Sequence, residues 1–354
     1  MAVSGANEVA SATPIRAGGA ESADMSLSDR QRPEGFQLTL MSAVAVTSTL
    51  ASERPEGFPR TTSSTVRASE HASRSAQPEL MVGGSNTPAM SPADDTDPES
   101  DLETSHGYPR ERAEFYHHRQ VEGQRPDVEF YVERAVGADG PVLEMACGTG
   151  RIYLPLLDVG VDADGFDRSA DALAVLRETA AEVGFSPSVW RADMTAFATD
   201  RAYDLVICPF NAVQHLLSVD AQLDALREAY RVLQPGGRLC FDVFVPRFEH
   251  IAESYGETDT ETVVYRGGPH EFRTVTELVD EVEQVIAVRT ELVDPDGERV
   301  FAERHRLKLL PQRELELLAR LSPFEGWTVT RNFSDEPLED GDAVQVWTLE
   351  KAGQ

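Results

Sequence analysis

The sequence predicts an α/β fold built on an open, doubly wound parallel sheet, and three observations carry that expectation. Residues 141–167 run from an apolar strand through a glycine-containing turn into a short helix, then into a second strand that ends on a carboxylate. Strand-like and helical-period segments keep alternating as far as residue 245, a pattern that gives right-handed βαβ crossovers. From residue 262 the hydrophobic period changes to two, so an antiparallel insert should follow the fifth strand.

Taken in order, Ala113, Tyr116, Val128, Tyr131, Val132 and Val136 keep helical spacing and predict one or two helices ahead of the first strand. The core should then comprise strand 141–146, helix 150–159, strand 161–167, helix 169–183, strands 188–191 and 203–208, helix 219–233 and strand 238–245. Asp220 is placed to cap the helix at 219, and Gly236-Gly237 to close it. The insert should hold strands over 262–266, 271–279, 284–292 and 299–309, with Asp294-Pro295-Asp296-Gly297 turning between the last two. Pro311 starts a helix over 311–320, and strands near 326–334 and 343–350 complete the sheet.

Residues 1–105 differ from the rest. They are rich in Ser, Thr, Ala, Pro and Gly without sustained periodicity, and so predict a disordered low-complexity tail ahead of a domain over 106–354. A duplicated pentapeptide, Arg32 to Phe36 and Arg54 to Phe58, is too short for a structural repeat. Phe36 to Leu50 is mildly apolar behind Arg30 and Arg32, but Ser42, Thr47, Ser48 and Thr49 dilute it, and it makes a poor signal peptide and no membrane span. Met81 and Met90 stand as alternative starts within the tail.

Among 354 residues, 61 Asp and Glu against 32 Lys and Arg give a formal charge of −29, and lysine occurs only at 308 and 351. Such a surface reads as adaptation to molar salt, where the Debye length shrinks to about 3 Å. No basic run offers phosphate contacts, which argues against a nucleic-acid partner. Cys147, Cys208 and Cys240 show no metal or disulfide spacing and are expected to be buried thiols in a reducing cytosol.

The turn after the first strand carries the chemistry. Gly148 and Gly150 allow close backbone approach to a ligand, and Asp167 can accept two hydrogen bonds from a ribose diol. A dinucleotide fingerprint starting at Gly148 would need a small third residue where Tyr153 stands, so NAD is disfavoured. Glu144, Ala146, Gly148 and Gly150 instead resemble the first motif of class I S-adenosylmethionine-dependent methyltransferases, with Ala146 replacing a glycine. That replacement is harmless at negative φ and strained at positive φ. The resemblance continues in order through Val189 to Met194, Tyr203 to Asn211, and Leu233 to Asp242 with its Pro235-Gly236-Gly237 turn.

This resemblance implies a Rossmann-like, doubly wound, seven-stranded sheet with an antiparallel β insert over 262–309. It also implies S-adenosylmethionine as cofactor, held by Glu144, Ala146, Gly148, Gly150, Asp167, Arg168, Asp193, Met194 and Cys208. On the acceptor side it puts His215 first for acceptor contact or proton removal, with Tyr108, Tyr116, Phe210 and Asn211 as lid or substrate candidates. Phe115, His117 and His118 lie in the same leading segment. The histidines lack carboxylate partners at metal-binding spacing, so no metal site is expected. A small-molecule acceptor follows, amine favoured over hydroxyl, in a cytoplasmic monomer or homodimer off the membrane. The rivals are an RNA or protein methyltransferase and a silent cofactor-binding protein; Cys208-Pro209-Phe210-Asn211 lacks the Asn/Asp-Pro-Pro-Tyr/Phe signature of nucleic-acid amino methylation. The insert is similar to caps in small-molecule N-methyltransferases, with a dimerisation sheet as the other reading.

Overall fold

A computed structural model of the chain describes residues 109–121 and 126–353. Tyr108 and the tail over 1–105 lie outside the described residues. Helices α1 (Arg110–Val121) and α2 (Pro126–Val136) lead into β1 (Val142–Met145), α3 (Tyr153–Asp158), β2 (Ala163–Asp167), α4 (Ala170–Glu182), β3 (Ser188–Arg191) and β4 (Tyr203–Cys208). A 3-10 turn (Ala212–His215) and α5 (Val219–Val232) then precede β5 (Leu233–Phe244). Next come α6 (Phe248–Ser254), the meander β6 (Thr258–Tyr265), β7 (Gly268–Asp280), β8 (Val285–Val293) and β9 (Arg299–Lys308), and finally α7 (Gln312–Leu321), β10 (Gly326–Arg331) and β11 (Val344–Glu350).

The first sheet has seven strands in the order β10-β11-β5-β4-β1-β2-β3, with β11 antiparallel to both β5 and β10 and the other pairs parallel. Because side chains alternate along a strand, the sheet feeds two cores. Leu143, Met145, Val206 and Cys208 pack with Leu223 and Leu226 of α5 and Leu315 and Leu318 of α7, while Val142, Leu205 and Ile207 pack with Tyr131 of α2, Leu156 of α3 and Leu173 and Leu176 of α4. Strand order reverses between β1 and β4, and ligands of such sheets bind outside the carboxyl ends of the strands at that point.

Tyr153, too bulky for a dinucleotide turn, is accommodated by the strand it faces. A Cβ built on Gly165 of β2 would stand 3.1 Å from the Tyr153 ring, so the glycine supplies the space that the helix does not. The buried hydroxyl donates to the Ala163 carbonyl at 2.9 Å and accepts the Ser188 N–H at 3.0 Å, tying α3 to β2 and β3.

Three local expectations are corrected. Ser218, not Asp220, caps α5, its hydroxyl accepting the Ala221 N–H at 3.2 Å. The end of α5 is not closed by glycine either: Leu233 is already extended at φ −74°, ψ 142°, and Gly236 turns at φ 84° within the pairing run of β5. Helix α6 was unexpected; Ile251, Tyr255 and Phe244 pack against Ile286, Leu307 and Leu309 and so join the end of β5 to the meander.

The second sheet is a four-stranded antiparallel meander, β6-β7-β8-β9, beginning at Thr258. Its inner face meets α1, with Phe115 buried among Tyr265, Leu292 and Phe301. A buried ion pair, Arg112 Nε to Glu303 Oε1 at 2.5 Å, fastens the same helix to β9.

Candidate functional site

The carboxyl ends of β1, β2, β3 and β4 converge on one edge of the seven-stranded sheet, and most of the residues expected to hold a cofactor stand there. The turn after β1 alternates conformations: Ala146 at φ 58°, Gly148 at 54° and Gly150 at 91°. At Gly150 an added Cβ would meet Leu154 and Leu176 at 2.9 Å, so both conformation and space require glycine there. Ala146 occupies the left-handed region with a side chain, at a cost of about 1–2 kcal/mol.

Asp167 closes this turn. Its Oδ2 accepts the Gly148 N–H at 2.9 Å and its Oδ1 the Ser169 N–H at 2.8 Å. Burial pushes its carboxyl above the ordinary value, and the Ser169 and Gly148 N–H groups oppose that shift. Each oxygen retains a second lone pair for a diol. Asp193 is more exposed, and its Oδ1 takes both the N–H (2.9 Å) and the hydroxyl (2.7 Å) of Thr195. Burial raises this carboxyl, but the two Thr195 bonds outweigh it and hold it below the usual range. Arg168 is exposed beside Asp167, and Met194 is half-buried against the core that holds Phe166. The Cys208 side chain is buried in the core and its thiol is pushed up beyond the usual range by burial, so the thiol itself is withdrawn from the edge.

Glu144 lies beneath the turn with its Oε2 buried and without a hydrogen-bond donor. Burial drives its carboxyl well above the usual range, with Arg151 opposing and Asp167 and Asp127 adding to the rise. Asp127 of α2 pairs with Arg151 at 2.5 Å through Oδ2, leaving Oδ1 likewise buried without a donor. Two bare carboxylate oxygens near a nucleoside-type turn fit a ligand that brings its own N–H donors, such as an amino-acid ammonium. Asp127 and Arg151 escaped the sequence reading; an acid in the first turn of a helix and an arginine after the glycines were the available signals.

On the other side of the edge, Phe210 and Asn211 both take left-handed conformations, φ 61° and 58°. Asp242 of β5 holds them there, accepting the Phe210 N–H (2.8 Å) and Tyr131 hydroxyl (2.6 Å) on Oδ1 and the Asn211 N–H (3.3 Å) on Oδ2. The Asn211 amide oxygen in turn accepts the Phe244 N–H at 2.8 Å. Asn211 thus serves the loop's own geometry, while Phe210 presents its ring to Tyr116 at 6.1 Å and to the Arg151 guanidinium at 4.8 Å. Burial pushes the Asp242 carboxyl up to about 6, against the Tyr131 and Phe210 hydrogen bonds.

Helix α1 lies across these parts. Gln120 accepts the Thr149 hydroxyl at 3.3 Å, Tyr116 faces Phe210, and Phe115 belongs to the core of the insert. His117 pairs with the Thr179 hydroxyl at 3.3 Å and His118 with the Val264 carbonyl at 2.8 Å, so both are committed to holding the helix.

His215, at the end of the 3-10 turn, is exposed. Its neighbour comes from the insert: the His305 ring of β9 lies 5.5 Å away, centroid to centroid. Enclosure, His305 and Arg168 push the His215 imidazole down to about 4; enclosure and Arg112 do the same to His305. Sequence reading missed His305, although Glu303 and His305 share one face by the period of a strand. Among the described residues no His, Cys, Asp and Glu cluster suits a metal ion, and no helix is long and apolar enough to cross a membrane.

Residues 142–237, from β1 into β5, match the family model described as a methyltransferase domain. YqeM of Bacillus subtilis is 28% identical over 116 residues, 32% of this chain, and the match spans under half, 46%, of its length. A Streptomyces fradiae protein, dTDP-3-amino-3,6-dideoxy-alpha-D-glucopyranose N,N-dimethyltransferase, is 28% identical over 197 residues, 54% of this chain and 72% of its own. In fold, the chain is similar to the crystal structure of an S-adenosylmethionine-dependent methyltransferase from Clostridium acetobutylicum, with a TM-score of 0.57 at 16% identity over 68% of this chain and 98% of the other. Residues 142–237 therefore form a methyltransferase domain, and the chain carries the class I S-adenosylmethionine-dependent methyltransferase fold.

Proposed function

We propose that the protein transfers a methyl group from S-adenosylmethionine to the amine of a small molecule, with amino sugars as the favoured acceptor class. The cofactor supplies an electrophilic methyl on a sulfonium. The protein's task is then to hold the acceptor nitrogen in line, exclude water and receive a proton. The observation that carries this reading is the placement of His215: an exposed imidazole at the end of the turn beyond β4, beside the His305 ring, whose neutral form at pH 7 leaves a ring nitrogen free to accept a hydrogen bond or proton from an acceptor ammonium. The name of the Streptomyces fradiae relative supports the choice of amino sugars.

In this reading Asp167 holds the ribose, Asp193 and Met194 border the adenine, and the bare oxygens of Glu144 and Asp127 take the ammonium of the methionyl part. Gly148 and Gly150 let the backbone approach, Tyr116 and Phe210 wall the sulfonium side, and α1 with the insert closes over the acceptor. An aromatic face beside a sulfonium contributes about 0.5–2 kcal/mol.

The test is mass spectrometry of purified protein with S-adenosylmethionine and matched nucleotide sugars bearing an amine or a hydroxyl at the same carbon. Gain of one or two methylene masses on the amine alone is expected, and His215→Ala should lower that turnover by about 10²–10⁴-fold with cofactor affinity retained. Methylation of the hydroxyl sugar in preference to the amine would overturn the reading.

A further inference from the structure

We propose that His305, carried by the insert strand β9, is a second catalytic residue that pairs with His215 to receive the acceptor's proton. The meander would then complete the active site as well as roof it. This inference rests on the amine-acceptor reading above. The rings of His215 and His305 lie 5.5 Å apart and 38° from parallel, and they come from two elements that pack on each other, the turn after β4 and strand β9 of the insert, which Gln214 joins through the Lys308 carbonyl at 2.8 Å.

His305 stands beside a buried carboxyl. Its Nδ1 is buried without a hydrogen-bond partner and lies 4.0 Å from Oε1 of Glu303, while Nε2 is not enclosed. Glu303 is itself fully buried; Arg112 Nε (2.5 Å) and the Thr290 hydroxyl (3.2 Å) both bond its Oε1, and Oε2 has no donor. The buried Nδ1 therefore has the Glu303 carboxyl as its nearest acidic neighbour. In the tautomer that carries its proton on Nδ1, that N–H lies toward Glu303 and the Nε2 lone pair is free to take a proton, while the Arg112 bond holds the Glu303 side chain in place. Sequence places Glu303 and His305 two residues apart, so one strand face carries both, with Glu303 bonded to Arg112 of α1.

The chemistry balances without another reactant. The acceptor ammonium gives one proton to an imidazole and its nitrogen lone pair forms the new N–C bond. The S–C bond of the sulfonium breaks, S-adenosylhomocysteine leaves, and the second N–H proton released on methylation passes to the other imidazole or to water. Two neutral imidazoles therefore suit an amine methylated more than once, which sheds a proton before each attack.

The experiment uses the full chain, His305→Gln and the ring-sized His305→Phe, with S-adenosylmethionine and a dTDP-linked 3-amino-3,6-dideoxy sugar as probe. Expected is a fall in kcat of about ten- to a hundredfold with the KM for S-adenosylmethionine unchanged in both variants. A second readout needs no acceptor: nitrogen-15 NMR titration of the histidine rings. His215 is faced by His305 and Glu303 from β9 and by Arg168 from the loop after β2, and His305 by Arg112 from α1; removal of His305 should raise the His215 titration midpoint because one neighbouring cation is lost. Unchanged kcat, or a His215 midpoint indifferent to both substitutions, overturns the pairing. Hydroxyl-only methylation by the wild type with the ring coupling intact overturns the amine reading and leaves the pairing supported.

Discussion

The backbone N–H of Gly148 donates to Oδ2 of Asp167 at 2.9 Å, so the carboxylate expected to hold the ribose also clamps the turn that receives the cofactor. Its other oxygen takes the Ser169 N–H, next to the start of α4. One side chain therefore couples three pieces of the site, and its removal acts on the fold as well as on binding. Full truncation would leave two backbone donors without their acceptor, which makes the amide the better probe.

Asp167→Asn should weaken S-adenosylhomocysteine binding at least tenfold and lower stability by about 1 kcal/mol, since the amide retains one acceptor but sets N–H against N–H at the other position. Calorimetric titration and urea unfolding read the two effects separately. Unaltered affinity in the folded variant would assign Asp167 to turn structure alone.

Ala146 sits at φ 58° where the related motif carries glycine, a region in which its Cβ crowds the backbone. Ala146→Gly should raise stability by about 1 kcal/mol, the relief of left-handed strain exceeding the added freedom of the unfolded chain. Denaturant midpoints at constant m decide this. A loss of stability would mean that the methyl group's packing outweighs the strain.

Asp242 gives a pH signature. The folded chain keeps its proton up to about pH 6, whereas the unfolded chain releases it near 3.8. Its contribution is therefore fully present below the unfolded value and lost as pH rises through 6, about 3 kcal/mol at most. Asp242→Asn should abolish this slope, so the stability difference between the two proteins should change between pH 4 and 6 and be flat above. Parallel curves throughout would show that Asp242 ionises normally.

The buried pair Arg112–Glu303 latches α1 to the insert. Arg112→Met should cost about 3–5 kcal/mol by stranding a buried carboxylate, and Arg112→Met with Glu303→Met should recover most of the loss. Thermal melts of the single and double variants measure it. A single variant as stable as the wild type would show that solvent reaches Glu303.

Strands, helices and the meander were legible because their hydrophobic periods are set locally: period two from Glu271 onward, helical period through Val219–Val232. The motif turn was legible for the same reason, being one contiguous run from Glu144 to Gly150. What sequence could not supply was juxtaposition. Asp127, Arg151 and Glu144 meet under the turn from three separate elements, and His305 reaches His215 across ninety positions of chain. Helix α6 was hidden because it is short and buries none of its residues fully. The caps of α5 failed for a finer reason: Ser218 and Asp220 are both good capping types, and only the observed backbone tells which one precedes the first turn.

Titration calorimetry of the full chain in molar salt, with S-adenosylhomocysteine and NADH as paired ligands, tests most directly whether the edge of β1, β2 and β4 is a sulfonium-cofactor site. One S-adenosylhomocysteine per chain, bound far more tightly than NADH and weakened by Asp167→Asn, is the predicted result. Tight NADH binding with no heat from S-adenosylhomocysteine would contradict it.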